Sequence, residues 1–488
     1  MKCFLKVARF SLVLIFIIVC FAACAPRIGF DPKSIKDQAR VDYTPETPQS
    51  FTLSNGLQVL LIENHELPLV SGTLYLRGGF LSEMGTDPNL LAAMGTQMRL
   101  GGTSKLSPDQ LDLKLESLAA RVESSYGSET GSVGFSCLSS DITEVFDIFS
   151  DVVLTPRFDS QRLMLWKQQQ LEGIRRRRDD PNTITAVAFK QLLFEGTPFG
   201  SVSNTADINQ IDRLGILRLH RKFVRPNGAI LAVAGAISRA ELEQLVSESF
   251  SDWSPRHDRF NPVAQVAAEP KQGVYFIEMP FKQASVLIGR RGVERLTPDA
   301  FAIELFNEIF GSGGFSTRLM SKIRVDLGLA YSTFGAIEPG YVTGRNLIYL
   351  QTKSQSTGQA FVEAVRVLSD LQQDPPTSSE LELVKRSVAN SFVFAVDSPA
   401  KVVARIASLK LLGYLDNYDQ TYLENINRVS ASDILEVANK RWSNDEFTAI
   451  VVGDAVALQS LRESLESSSD LGRWKQIKKL KFNEKVVW

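Results

Sequence analysis

Phe149-Ser150-Asp151-Val152-Val153-Leu154-Thr155-Pro156 and Leu368-Ser369-Asp370-Leu371-Gln372-Gln373-Asp374-Pro375 say the same thing twice. In both, an apolar segment ends, aspartate precedes proline by five residues, and a long helical stretch follows. Ahead of the first copy, 57–63 and 69–76 read as strands, Gly78-Gly79 breaks the chain, and an apolar helix over 90–100 stops at Gly101-Gly102-Thr103. Ahead of the second, 273–279 and 284–289 read as strands, and a helix over 299–310 stops at Gly311-Ser312-Gly313-Gly314. Behind them the halves close alike, with Ala229-Ile-Leu-Ala-Val-Ala-Gly235 in one and Phe447-Thr-Ala-Ile-Val-Val-Gly453 in the other. One unit has been duplicated. Strands and helices come in separate runs, not in strict alternation, which predicts an α+β fold of two homologous α/β-sandwich-type domains. Each is expected to be an antiparallel sheet with helices packed on one side. The glycines at 311–314 lack a following Lys-Ser/Thr and any dinucleotide spacing, so they read as a helix stop and not as a phosphate cradle.

The chain has 488 residues, 44% hydrophobic and 22% charged, enough to bury more than one core. A formal net charge of -1 gives no electrostatic reason to bind nucleic acid. Ser-Pro, Asn-Pro and Glu-Pro steps mark 253–272 as a linker. The expected organisation is a signal over 1–23, a polar tether over 24–50, domains over 51–252 and 273–460, and a tail over 461–488. The lysines of that tail show no clear period and predict a flexible, soluble end.

Lys2, Lys6 and Arg9 precede an apolar run over 10–21, then Ala22, Ala23 and Cys24, which is the pattern of a secretory signal. The run is short for a membrane span of about 20 apolar residues, which favours cleavage. Phe21-Ala22-Ala23-Cys24 resembles the lipobox of bacterial lipoproteins, with Phe21 where leucine is usual; a plain cleaved signal or a retained anchor is the alternative. That resemblance implies lipidation of Cys24 and attachment to the membrane through the lipid. With Ala25 and Pro26 following in place of aspartate, it implies an outer-membrane position in the bacterial envelope, facing the periplasm. Cys3 and Cys20 leave with the signal, so Cys137 stands alone without a disulfide and reads as a small strand side chain.

Several further signatures occur in order: Ser54-Asn-Gly-Leu-Gln-Val59, His65-Glu-Leu-Pro-Leu-Val70, Gly102-Thr103, Leu171-Glu-Gly-Ile-Arg-Arg-Arg-Arg-Asp-Asp-Pro181, Gly200, Ser316-Thr-Arg-Leu319 and Arg324-Val-Asp-Leu-Gly-Leu-Ala-Tyr331. Together, over 51–453, they resemble the insulinase, pitrilysin and mitochondrial processing peptidase family. Active members of that family carry His-x-x-Glu-His on the helix before Gly-Thr. Two histidines at i and i+4 grip zinc from one helix face, and the glutamate takes a proton from the metal-bound water. Here those positions are Ala93, Thr96 and Gln97, which offer a methyl, a hydroxyl and an amide. The family's distant glutamate ligand maps to Gly173, and its supporting glutamate maps to Trp166. Glu172 survives, but a one-residue offset turns a helical side chain by about 100°. No metal is therefore expected in this chain. His65, His220 and His257 are scattered and read as surface or loop residues, and Arg175 to Arg178 as a solvated helix end.

Arg324 and Tyr331 match the pair with which the family holds peptide substrate and the reacting carbonyl. The alternative is that both merely pack and cap a helix-to-strand turn. The resemblance thus implies a non-catalytic homologue that binds peptide beside a zinc-bearing homologous subunit, with the zinc in that partner. A stand-alone peptide-binding or scaffold lipoprotein is the other reading. An independent hydrolase has no Gly-x-Ser-x-Gly elbow and no cysteine-histidine set to support it.

Overall fold

Two sheets of matching strand order organise the chain. The computed structural model describes residues 46–256, 259–263, 269–442, 446–469, 471 and 474–487, all within one unit of 44–488; the signal, Cys24 and His257 lie outside the described residues. In the first half the strands are β1 (Gln49–Thr52), β2 (Gln58–Glu63), β3 (Leu69–Arg77), β4 (Arg121–Tyr126), β5 (Thr130–Leu138) and β6 (Ile230–Gly235), ordered β1-β2-β6-β3-β5-β4. In the second they are β7 (Gly273–Glu278), β8 (Gln283–Arg291), β9 (Ala330–Glu338), β10 (Arg345–Lys353), β11 (Thr448–Gly453), β12 (Ile477–Phe482) and β13 (Val486–Val487), ordered β13-β12-β7-β11-β8-β10-β9. The run β2-β6-β3-β5-β4 repeats as β7-β11-β8-β10-β9, so the duplication read from the sequence is a duplication of topology. The two Asp…Pro stretches close equivalent helices, Ile142–Leu154 and Thr357–Gln373.

The α+β class with two homologous halves stands, with two refinements. The sheets are mixed, because β2 pairs with β6, β7 with β11 and β12 with β7 in parallel. β6 and β11 return to their sheets after a block of helices, and so long a crossover can deliver a strand in either direction. The second refinement concerns which faces are covered. The helix Pro181–Phe194 of the first half packs on β8 and β11 of the second, while Pro399–Leu411 of the second half packs on β2, β3 and β6 of the first. Both helices start with the same grammar: Asp180 accepts from the N–H of Asn182 and Thr183 ahead of Pro181, and Ser398 caps Lys401 ahead of Pro399. The first inserts Ile184, Ala188, Phe189, Leu192 and Leu193 among Ile277, Leu287, Leu347, Ile450 and Val452. The second buries only Val402, Val403 and Ala407.

The expectation of a flexible tail is corrected. Ile477–Phe482 lies parallel to β7 as a strand of the second sheet. First-half residues hold it there: the Glu484 carboxylate accepts from the Thr205 N–H at 2.9 Å, Arg177 donates to the Glu484 carbonyl at 3.2 Å, and Gln191 accepts from the Val486 N–H at 2.8 Å. Lys475, Lys478, Lys479, Lys481 and Lys485 remain exposed along this border, a charge pattern that discourages edge-to-edge pairing.

Candidate functional site

The helix Pro88–Leu100 begins where Asp87 accepts from the Asn89 N–H at 2.8 Å and ends at Gly101, with Gly102 at φ +73° releasing the chain into the buried Thr103. It lies hard against β4. A Cβ on Gly95 would collide with the backbone of Ser125 and Tyr126, Ser124 Oγ donates to the Gly95 carbonyl at 2.6 Å, and Arg99 Nε donates to the Val122 carbonyl at 3.0 Å. The helix is therefore fixed in rotation, and with it the three positions of interest.

Ala93 is fully buried, Gln97 is 1% exposed and Thr96 is partly exposed. Among the described residues neither polar side-chain atom of the Gln97 amide has a hydrogen-bond partner. On the neighbouring helix Ser160–Arg176, Trp166 joins the apolar core that contains Ala93, whereas Gly173 is exposed with open space beside its Cα. Glu172 is turned to arginines: Arg176 Nε and Arg175 Nε donate to it at 2.7 and 3.0 Å, and these bonds hold its carboxyl below the usual range. Among the described residues no three His, Cys, Asp or Glu side chains converge. These residues do not fit zinc, since the buried pair presents a methyl and an amide and the distant position presents no side chain.

An unpaired buried amide opposes folding. Gln97→Met keeps the length of the side chain and removes both polar atoms, so it is expected to raise the unfolding free energy by about 1–3 kcal/mol. A urea melt measures this, and a lower midpoint for the variant would mean that the amide has a partner.

The two described histidines are separate. His65 is exposed with Nε2 2.8 Å from the Glu63 carboxylate. His220, on the helix Arg213–Phe223, is not the surface or loop residue expected: its Nε2 lies 2.9 Å from the Val153 carbonyl and its ring stands edge-on to Phe158. Burial holds its pKa below the ordinary histidine value, against the Val153 bond, which favours the proton. The unfolded chain therefore takes up that proton first. Its contribution to stability is complete above about pH 6.5 and drains away as pH falls from there towards the lower folded pKa. Unfolding midpoints measured between pH 7.5 and 5 should fall more steeply for the wild type than for His220→Gln. Cys137 is buried in β5, and burial, with Asp141 nearby, pushes its thiol up to about 11, which makes it a poor nucleophile.

Arg324 sits in a π-helical turn, Met320–Asp326, and Tyr331 is the second residue of β9. Gly328 at φ +61° makes the bend between them, closed by the Leu329 N–H to the Ile323 carbonyl at 2.9 Å. The bend brings the Arg324 Cζ to 5.5 Å from the Tyr331 ring centre, and from the short turn ahead of the π-helix the Phe315 ring stands with its centre 4.9 Å from the same carbon. Tyr331 is 72% exposed, so it lies outside the core, and the turn is closed by the Leu327 N–H to Lys322, not by either side chain. The structure thus brings together the two residues singled out in the sequence and adds Phe315. The signal for Phe315 was faint, one aromatic residue directly after a run read only as a helix stop.

Residues 59–198 match the family model described as insulinase (peptidase family M16), and residues 210–388 the model described as peptidase M16 inactive domain. The chain is 25% identical over 339 residues to an uncharacterized zinc protease of Mycobacterium tuberculosis, covering 68% of this chain and 76% of that one. It is 22% identical over 401 residues to a non-peptidase homologue of Helicobacter pylori, covering 81% and 91%. Among solved structures it is similar to the peptidase M16 inactive domain from Pseudomonas fluorescens, with TM-score 0.77, 24% identity and coverage of 84% and 99%. It is similar also to the periplasmic protease PqqL of Escherichia coli, with TM-score 0.71, 14% identity and coverage of 86% and 47%. Both likenesses are likenesses of fold.

Proposed function

We propose that this chain, which belongs to the insulinase (M16) peptidase family, is a non-catalytic member that contacts peptide for a zinc-bearing homologous subunit. The observation that carries the reading is an asymmetry. Every position at which active relatives place a metal donor has changed chemistry, and Gln97 is buried with no protein partner among the described residues, whereas Arg324 and Tyr331 stand together, the arginine half-buried and the tyrosine exposed. A guanidinium and a phenol presented side by side can stabilise negative charge on a peptide carbonyl oxygen. The name of the Helicobacter pylori relative, a non-peptidase homologue, accords with this. In this reading zinc belongs to the partner, and the pair is held in the bacterial envelope by lipid on Cys24, at the outer membrane facing the periplasm.

The experiment is an affinity pull-down of the tagged full-length protein from native membranes, with co-purifying proteins identified and zinc counted. A homologue carrying His-x-x-Glu-His at near-equal stoichiometry, with one zinc per pair, is the expected result. A lone, zinc-free chain would instead favour a peptide-binding or scaffold lipoprotein. Mass spectrometry of the mature N-terminus checks the anchor, since an unlipidated Cys24 would overturn that part.

A further inference from the structure

Phe315 has no part in the contacts assigned to Arg324 and Tyr331, yet its ring centre is nearer the guanidinium than the tyrosine ring is, at 4.9 against 5.5 Å. Gly313 and Gly314, the latter at φ +82°, release the chain from the preceding helix, and Phe315 emerges 65% exposed. A phenyl ring left this open gains little from burial, so its place over a cation is what distinguishes it. Val325 and Leu327, 62% and 38% exposed, follow Arg324 in sequence. Among the described residues the Arg324 guanidinium has aromatic faces against it, no carboxylate partner, and no acceptor for its five N–H donors. Two other arginines of the second half are matched, Arg318 with Glu380 at 2.9 Å and Arg441 with Asp299 at 2.6 Å. Arg324 is thus a guanidinium backed by two rings, with no anion paired to it among the described residues.

We propose that Phe315, Arg324 and Tyr331 form a subsite for a peptide carboxylate, carried by an acidic side chain or a free C-terminus, with the apolar neighbours of that residue laid against the two rings. The inference rests on the reading that the Arg324–Tyr331 pair faces peptide, and it adds Phe315 and a charge preference to it. A planar carboxylate matches the guanidinium fork through two parallel N–H donations, which a neutral carbonyl cannot reproduce. The rings exclude water from one side of that contact and favour leucine-like or aromatic neighbours over polar ones.

The test uses the full-length protein in detergent micelles and short fluorescein-labelled peptides rich in leucine and alanine. Four forms are compared by anisotropy, with glutamate or glutamine inside the peptide and a free acid or an amide at its end. Neutralising the engaged carboxylate should weaken binding about tenfold or more. Loss on Glu-to-Gln exchange identifies an acidic side chain, and loss on amidation identifies the terminus. Phe315→Ala should weaken the preferred acid several-fold, Phe315→Leu less, and Arg324→Lys should reduce the preference for the acid, because the charge is kept and the planar fork is lost. Because Phe315 is exposed, its replacement leaves the fold intact, which a melt confirms. Peptides that bind equally well in all four forms, or a Phe315→Ala variant that binds as the wild type does, would overturn the subsite alone. If no form binds, the peptide-facing reading of Arg324 and Tyr331 falls with it.

Discussion

Phe189→Ala should lower the unfolding free energy by about 3–5 kcal/mol, more than a phenylalanine at a simple domain border would. The residue belongs to the first half but is 1% exposed inside the core of the second. Gly289 of β8 makes room for it, since a Cβ there would stand 2.9 Å from the ring tip. Truncation leaves a cavity walled by two sheet strands and the helix itself, none of which can collapse without moving a hydrogen-bonded ladder. The reciprocal helix provides the contrast. Val403 faces a groove of ≈ 260 Å³ between Pro399–Leu411 and the first sheet, lined by Ser71, Gly72, Thr73 and Ser136. Val403→Ala enlarges a space that is already open and should cost roughly 1 kcal/mol or less. Urea unfolding followed by tryptophan fluorescence compares them, because Trp166 and Trp253 report on the first half and Trp442 and Trp474 on the second. Since the exchanged helices tie each half to the other, the Phe189→Ala loss should displace one common transition. A variant in which only the second-half signal moved would refute that coupling.

What the sequence disclosed was what local chemistry decides. The glycine-stopped helices and the Asp…Pro spacing are short-range signals, and both halves obey them, so the duplication was legible before any contact was known. The spacing of Ile184, Ala188, Leu192 and Phe189 announces a helix, but periodicity names a buried face without naming what buries it. The exchange of helices between halves therefore had no sequence signal, and neither did the parallel direction of β6 and β11. The tail failed for a related reason. Its lysines dominate the composition, while the groups that order it, Arg177, Gln191 and Thr205, lie 279 to 307 residues upstream of their partners. At the site, the altered metal positions could be read residue by residue because ligand chemistry admits few substitutes. The burial of Gln97 could not, and Phe315 meets Arg324 through the fold of the chain between Gly314 and Asp326, which has no local sequence signal.

Arg324→Ala combined with Tyr331→Phe should reduce peptide hydrolysis by the proposed complex by roughly 10²–10³-fold, the scale associated with removing donors that meet a developing oxyanion. The pair is well suited to such a test because neither change reaches the core. Tyr331 is 72% exposed and keeps its ring in the variant, and the turn that carries Arg324 is closed by backbone bonds at Leu327 and Leu329. Melting and partner recovery should accordingly stay within error of the wild type, which separates loss of contact from loss of assembly. The single changes should not add up to the double, because the two side chains stand against each other and meet the same peptide. Arg324→Lys refines the argument: it preserves charge without the planar fork, so a large remaining deficit would assign the effect to geometry and not to net charge. Phe394→Ala supplies a control, since that ring is 71% exposed in the same half and has no part in the cluster. Hydrolysis that survives the double change undiminished would sink the division of labour between this chain and a zinc-bearing partner, leaving Arg324 and Tyr331 as a surface turn and no more.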